Sequence, residues 1–312
     1  MLTVILRRLA ISVPMIFVIA SLTFLLISLI PGDPAIAILG PEATPEEYEQ
    51  VRRALGLDRP LFIQYVDWMT AAVQGDLGTS IRTGRPVVTM IGERMEVTVS
   101  IAVIAIIVTA VLGVLIGLVG ALKGGWIGKS SQVVAVLGTS VPNFWFGILL
   151  VLLFAVSLGV LPATGYAPMS KGFGEWASHL VLPVAAIALA GIAGIARQTR
   201  ASMNEVLGRD FIRTLMASGT PYHSVVFRHA LRNAAIPVVT SLSFQFIGLL
   251  SGAIVVDQVF AMPGLGSIML VAMNGRDIPV VQGVVILTAV LVIVVNLVVD
   301  LLNAWINPKV RS

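Results

Sequence analysis

The chain contains no cysteine, which excludes disulfide bonds, thiolate catalysis and cysteine-ligated zinc or iron–sulfur centres. Charge is scarce as well: Asp, Glu, Lys and Arg make up 12% of residues, about half the share usual in soluble domains. None of these, and no histidine, falls deep in an apolar run; Asp257, Asp300 and His179 sit near run ends, and His223 and His229 lie between runs. A charge at mid-membrane costs about 2.5 to 3.5 kcal/mol, and proton-coupled carriers accept that cost to build relays. This chain has no such relay. Nor does any serine stand in a Gly-x-Ser-x-Gly elbow, so the hydrolase nucleophile is missing. The triplet "GKS" at 128–130 resembles the end of a phosphate-binding loop, but Lys123 stands where that loop needs glycine and an apolar helix stands where it needs a strand. The chain is not expected to be an enzyme, and no metal or cofactor is expected in it.

Apolar residues fill the space instead. They make up 57% of the chain, with a mean hydropathy of +0.97, against roughly 45 to 50% in soluble domains. The net charge of +4 and pI near 9.8 would suit nucleic acid. The basic residues, however, sit in short breaks between apolar runs, so membrane topology accounts for them and no nucleic-acid partner is expected. A bilayer core needs about 20 apolar residues per helix, and residues 9–30, 97–122, 133–158, 179–196, 235–256 and 280–302 each supply such a run. The expected fold is all-α and integral to the membrane, with six transmembrane helices. The fourth run carries Pro183, which membrane helices tolerate where neighbours satisfy the freed carbonyl. The first run follows Arg7 and Arg8 and precedes "AIA" at 35–37, the outline of a signal peptide, but it exceeds the roughly 7 to 15 residues of a signal core. Residues 1–30 are expected to remain as the first span.

If the spans alternate, Arg7, Arg8, Lys123, Lys129, Arg197, Arg200, Arg209, Arg213, Arg228, Arg232, Lys309 and Arg311 fall on one side, and the short loops opposite hold only Lys171 and Arg276. That excess marks the first side as cytoplasmic and places both termini there. The segment 31–96 lies outside and is too long for the charge rule to bind. It has helices of its own: "TPEEYEQVRRALG" opens with Thr44 as N-cap, Pro45 and a capping-box Glu47, and stops at Gly56. "PLFIQYVDWMTAAVQG", from Pro60 to Gly75, turns Phe62, Tyr65, Trp68 and Met69 to one side, either onto the membrane interface or toward a docking partner.

The basic stretch between the fourth and fifth runs, "ARQTRASMNEVLGRDFIRTLMASGTPYHSVVFRHALRN", has a pattern of its own. Phe211, Ile212, Leu215 and Met216 form an apolar stripe at helical spacing, Gly219 stops the helix, and Thr220 and Pro221 restart it as N-cap and first helical residue, with Tyr222, Val225 and Val226 on the apolar side. A basic interfacial helix that snorkels its arginines toward anionic lipid would share the stripe but would not need the Gly219 break.

This stretch resembles the cytoplasmic coupling loop of bacterial ABC importer permeases, in the dipeptide, oligopeptide and nickel branch of that family. Arg213, Thr214 and Leu215 occupy the family's Glu-Ala-Ala positions and Gly219 its glycine; Leu215 and Met216 depart from the small and basic residues common there. "GDLGTSIRTGRPV" from Gly75, "SVPNFWFG" from Ser140 and "VFAMPGLGSIML" from Val259 agree in order, so the resemblance covers essentially the whole chain. It implies the type I ABC importer permease fold, with residues 97–303 as permease core, a coupling loop at 197–234 and a cytoplasmic tail at 304–312. It also implies that Asp210, Phe211, Arg213, Thr214, Leu215, Ala217, Gly219 and Tyr222 meet the ATPase. Its implied partners are a second homologous permease, two ATPase subunits that hold ATP and Mg, an extracytoplasmic substrate-binding protein and membrane lipid, in the bacterial cytoplasmic membrane. The expected cargo is a peptide, with nickel, glutathione or an oligosaccharide as alternatives; a secondary carrier is the reading from outside this class.

Two places could line a route for cargo. Ser241, Gln245, Gly248 and Gly252 share one face of the fifth run, and Ser140 and Asn143 flank Pro142, whose missing N–H leaves a carbonyl unpaired. Small residues at four-residue spacing are also how membrane helices approach one another.

Overall fold

The structure is a computed structural model that describes residues 2–29, 33–123, 125, 126, 128, 133 and 138–306. Lys129, the tail beyond 306 with Lys309 and Arg311, the end of "GKS" and much of the first part of the third run lie outside them.

Helices, in chain order, are α1 (Leu2–Ser28), α2 (Pro34–Leu39), α3 (Pro45–Ala54), α4 (Leu61–Val73), α5 (Val87–Leu122), α6 (Asn143–Ser157), α7 (Phe173–Leu207), α8 (Asp210–Ala217), α9 (Tyr222–Val259), α10 (Leu265–Asn274) and α11 (Ile278–Ile306). No strand occurs among the described residues; Thr79 and Pro86 form an isolated bridge. The fold is all-α, and α1 from Arg8, α5, α7, α9 and α11 are each long and apolar enough to cross a membrane. The third run is described as helix over Asn143–Ser157, too short to count among them.

Contacts divide the chain into two units. The first takes Met1–Arg8, Thr98–Met262 and Val292–Ser312. Its centre is α7, which extends past the predicted 179–196 at both ends and buries most of its apolar stretch, Leu180, Leu182, Ile187 and Ile195 included. Small residues make this possible, because a helix rich in Gly and Ala lets neighbouring backbones approach closely. α7 packs extensively against α9, and α6 packs against both. At Gly191 three helices meet: a Cβ there would lie 2.9 Å from Thr109 Cγ2 of α5 and 3.6 Å from the Gln245 Oε1 of α9. Two of the motif stretches also join here. The ring of buried Phe260 rests where a Cβ at Gly147 would come within 3.2 Å, and its carbonyl accepts from the Gly165 N–H at 2.8 Å.

The second unit takes Leu9–Val97 and Pro263–Leu291. Val87, Ile91, Leu265, Ile268, Ala272, Val280 and Val284 form its core. α5 begins at Val87, ahead of the predicted start at 97. Before it, the loop of the "GDLGTSIRTGRPV" motif is held by Asp277: its buried carboxylate accepts from the Ser80 hydroxyl and, at 3.1 Å, from the Ile81 N–H. α3 has the predicted capping box, with the Thr44 N–H donating to Glu47 at 2.7 Å. That backbone hydrogen bond, followed by one from the Thr44 hydroxyl, holds the Glu47 carboxyl below its ordinary pKa. Gly56, at φ +68°, ends the helix where predicted.

Candidate functional site

The candidate site starts with α8, eight residues whose two faces have opposite fates. Ile212, 1% exposed, and Leu215 lie three residues apart on one face and enter a cluster of Leu118, Met203, Val206, Val225, Val226, Ala230 and Ala234. These belong to the ends of α5 and α7 and the start of α9, so one short helix is fixed to three long ones. The other face is open. Phe211 is 38% exposed and Met216 46%, and Arg213, Thr214 and Ala217 are exposed with them. The stripe read from the sequence is therefore divided: Ile212 and Leu215 anchor the helix, and Phe211 and Met216 face away from this anchor.

Gly219 does what the sequence asks of it. The Thr220 N–H donates to the Leu215 carbonyl and the Gly219 N–H to that of Met216, the paired bonds of a Schellman stop, with Gly219 at φ +81°. The restart differs by one residue. Pro221 is the N-cap and Tyr222 the first helical residue, because the Thr220 hydroxyl is within hydrogen-bonding distance of Ser218 Oγ, at 3.3 Å, and caps nothing. Val225 and Val226 are buried as predicted, whereas Tyr222 is 57% exposed.

The arginines have distinct partners. Arg200 donates to the Gly128 carbonyl at 2.8 Å and Arg232 to that of Ile306 at 3.4 Å, so each ties a helix to another segment. Arg209 pairs with Glu205 at 2.6 Å and Arg213 with Asp210 at 3.4 Å, but these side chains are more than half exposed. Exposed pairs contribute about 0 to 1 kcal/mol. Their cations are therefore free to exchange partners at modest cost. The result is an exposed knob of Asp210, Phe211, Arg213, Thr214, Ala217, Gly219 and Tyr222, with Leu215 beneath it.

The residues proposed for a cargo route are more dispersed. Asn143, at the start of α6, and Gly252 of α9 are close: a Cβ at Gly252 would lie 3.6 Å from Asn143 Nδ2. Gln245 is half-buried and turned to α7, where a Cβ at Gly194 would lie 2.6 Å from its Nε2. Ser140 is exposed, Ser241 is half-buried, and among the described residues outside its own turn of helix nothing stands within 4 Å of a Cβ at Gly248.

Two features escaped the sequence reading. Gly113 and Gly117 of α5 press against Ile195, Ala196 and Thr199 of α7, and their four-residue spacing was a legible sign of close helix approach. The Ser80–Asp277 bond spans 197 positions and left no local signal.

Comparison with known proteins gives a consistent picture. A model of the family "Binding-protein-dependent transport system inner membrane component" matches residues 110–312, and a companion model of the N-terminal region of such membrane components matches residues 1–102. A protein of Brucella abortus (strain 2308) assigned as a peptide transport system permease is 41% identical over 312 residues, covering 100% of this chain and 99% of its own. A protein of Sinorhizobium fredii assigned as a peptide ABC transporter permease is 37% identical over 308 residues, 98% of each chain. The glutathione transport system permease of Escherichia coli (strain K12) is 40% identical over 312 residues, 100% of this chain and 99% of its own. Among solved structures, a chain of the inward-facing MetNI methionine ABC transporter superposes with a TM-score of 0.57 at 17% identity, over 70% of this chain and 97% of that one. The fold is that of a type I ABC importer permease.

Proposed function

The chain belongs to the family of binding-protein-dependent transport system inner membrane components, and from that premise we propose that it is the permease subunit through which such an importer passes peptides. It is a multi-pass membrane protein of a transport system; the cargo, the partner set and the orientation are the parts proposed. The observation that carries the reading is the α8 knob: an exposed apolar and basic surface fixed by Ile212 to three long helices, in a chain that offers no phosphate-binding loop of its own. Asp210, Phe211, Arg213, Thr214, Leu215, Ala217, Gly219 and Tyr222 would seat on a separate ATPase subunit, which holds ATP and Mg. Closure of two such subunits would then tilt α5, α7 and α9 together. A second permease of the same family would complete the pathway, and an extracytoplasmic binding protein would deliver the cargo.

Peptide is favoured because relatives from Brucella abortus and Sinorhizobium fredii that match end to end are assigned to peptide transport. Glutathione is the second reading, favoured by the 40% identical glutathione permease, and it is itself a small peptide. The test is to purify the complex with its cognate binding protein and identify the bound molecule by mass spectrometry. Unmodified peptides support the first reading, glutathione the second, and a metal ion or sugar overturns both.

Orientation has a clean test because the chain lacks cysteine. Exposed Ser170 and Glu46, changed to cysteine, are expected to react with an impermeant thiol reagent in intact cells, whereas Ser218→Cys reacts only after permeabilisation. Labelling of Ser218→Cys from outside would reverse the proposed topology.

Ser140, Asn143, Ser241 and Gln245 are proposed to supply hydrogen-bonding groups along the route, which must admit a peptide without holding it. Gln245 is the critical member, since its amide also packs on α7. Gln245→Leu is expected to alter uptake kinetics across several peptides while assembly and basal ATP hydrolysis stay intact. Unchanged kinetics would leave it a packing residue only.

A further inference from the structure

In the unit formed by Leu9–Val97 and Pro263–Leu291, α4 lies against α1. The Tyr65 and Ser21 hydroxyls are hydrogen-bonded at 2.7 Å. Phe24 of α1 meets Tyr65 edge-on at 5.3 Å between ring centroids and Trp68 at 5.6 Å. The level of these contacts along α1 is informative. Arg8–Ser28, at 21 residues, matches a hydrocarbon core of about 30 Å, and Ser21 comes two turns, about 10 Å along the axis, before Ser28. A helix packed on its side at that level is not in bulk water.

The faces of α4 agree with this placement. Tyr65 and Trp68 take the side toward α1. Phe62, Val66 and Val73, at spacings of four and seven, form an adjoining stripe that is 74%, 40% and 79% exposed. Gln64, Asp67 and Thr70 lie on the remaining arc with Ile63, 42% exposed, among them, and Asp67 there forms an ion pair with Arg59 at 2.7 Å. The neighbouring surface of α1 is apolar too, with Leu22, Leu25 and Leu26 all more than half exposed. An amphipathic helix of this kind lies with its apolar face about 5 to 10 Å into the boundary between headgroups and acyl chains.

We propose that α4 is a lipid-embedded interfacial helix, with Phe62, Val66 and Val73 dipping into the leaflet where α1 ends and Asp67 turned to the headgroups. The occupant of the stripe is acyl chain, continuous with the lipid around α1. Of the two roles the sequence left open for this aromatic helix, the membrane interface is the one that the Ser21 contact favours. The inference rests on the membrane reading of α1 and is independent of the cargo.

The test uses the intact transporter in phospholipid vesicles, with an environment-sensitive fluorophore on Phe62→Cys, on Val73→Cys and, as a water-exposed reference, on Gln50→Cys of α3. The first two labels are expected to emit to the blue of the reference and to be quenched at least about twofold more strongly by lipids that carry a nitroxide on the upper acyl chain. Emission like that of the Gln50 label, with no lipid quenching, would show a helix standing in water and overturn the proposal. Blue-shifted emission without lipid quenching would show a protein partner on the stripe and overturn it as well.

Discussion

Peptide uptake is expected to fall to background in a Gly219→Arg variant, while the chain still inserts and co-purifies with its ATPase in near-normal amount. The two halves of that expectation have separate causes. Gly219 sits at φ +81°, where a residue with a Cβ pays roughly 1 to 2 kcal/mol. Among the described residues, apart from its own chain neighbours, nothing lies within 4 Å of the position a Cβ would take, so no clash adds to that strain, and the Ile212 anchor is untouched. The fold therefore survives. The harm is external and local: a long cation would project from the end of α8 beside Met216 and disturb how that end seats on the ATPase, while the rest of the proposed knob still holds the ATPase in the complex. A second variant separates strain from obstruction. Asn adopts the left-handed conformation with less strain than most residues and is short, so Gly219→Asn is expected to retain most uptake. Normal uptake by a well-expressed Gly219→Arg chain would falsify the coupling assignment.

The contrast between the two faces of α8 shows how far the sequence could be read and where it stopped. Helix and stop were legible, because apolar spacing and glycine act over a few residues: the stripe, the Gly219 turn and the Thr44 capping box all rest on contacts within one or two turns. Which apolar residues of the stripe point inward was not legible. Phe211 and Ile212 are equally hydrophobic neighbours, and only the ends of α5, α7 and α9 decide that Ile212 is buried and Phe211 exposed. Span limits show the same division. Hydropathy located the apolar centre of α7 but not its length, since residues 197–207 continue the helix with Arg197 and Arg200 in it; charged residues are good helix formers once out of the hydrocarbon. Gln245 was placed on the correct helix, yet its contact with Gly194 depends on how α7 and α9 meet. The Asp277 carboxylate that holds the Ser80 loop could not be anticipated from either segment alone.

Gly117→Leu is expected to yield no folded chain, and even Gly117→Ala should lower thermal stability measurably in the purified complex. A Cβ at Gly117 would come 2.5 Å from the Ala196 carbonyl oxygen and 2.6 Å from Thr199 Cβ, and one at Gly113 would come 2.7 Å from Ile195 Cβ. None of these neighbours is the free end of a flexible side chain. Ile195, Ala196 and Thr199 are all buried, so α5 and α7 must move apart, and overpacking of this kind costs about 1 to 3 kcal/mol for small insertions. Leucine adds a branched side chain in the same gap, beyond what a small displacement can relieve. Helix propensity works in the opposite direction, since Ala is preferred over Gly by about 1 kcal/mol in a helix interior. Gly92→Ala, where among the described residues outside its own turn of helix nothing stands within 4 Å of the new Cβ, should therefore be neutral or stabilising and serves as the control. Thr199→Gly would remove one of the two clashes at Gly117 and leave the carbonyl in place, so its combination with Gly117→Ala is expected to recover only part of the lost stability. If Gly117→Ala melts at or above the temperature of the unmodified protein, the close approach of α5 to α7 is wrong. The shared support that ties the α8 knob to both helices would then be wrong with it.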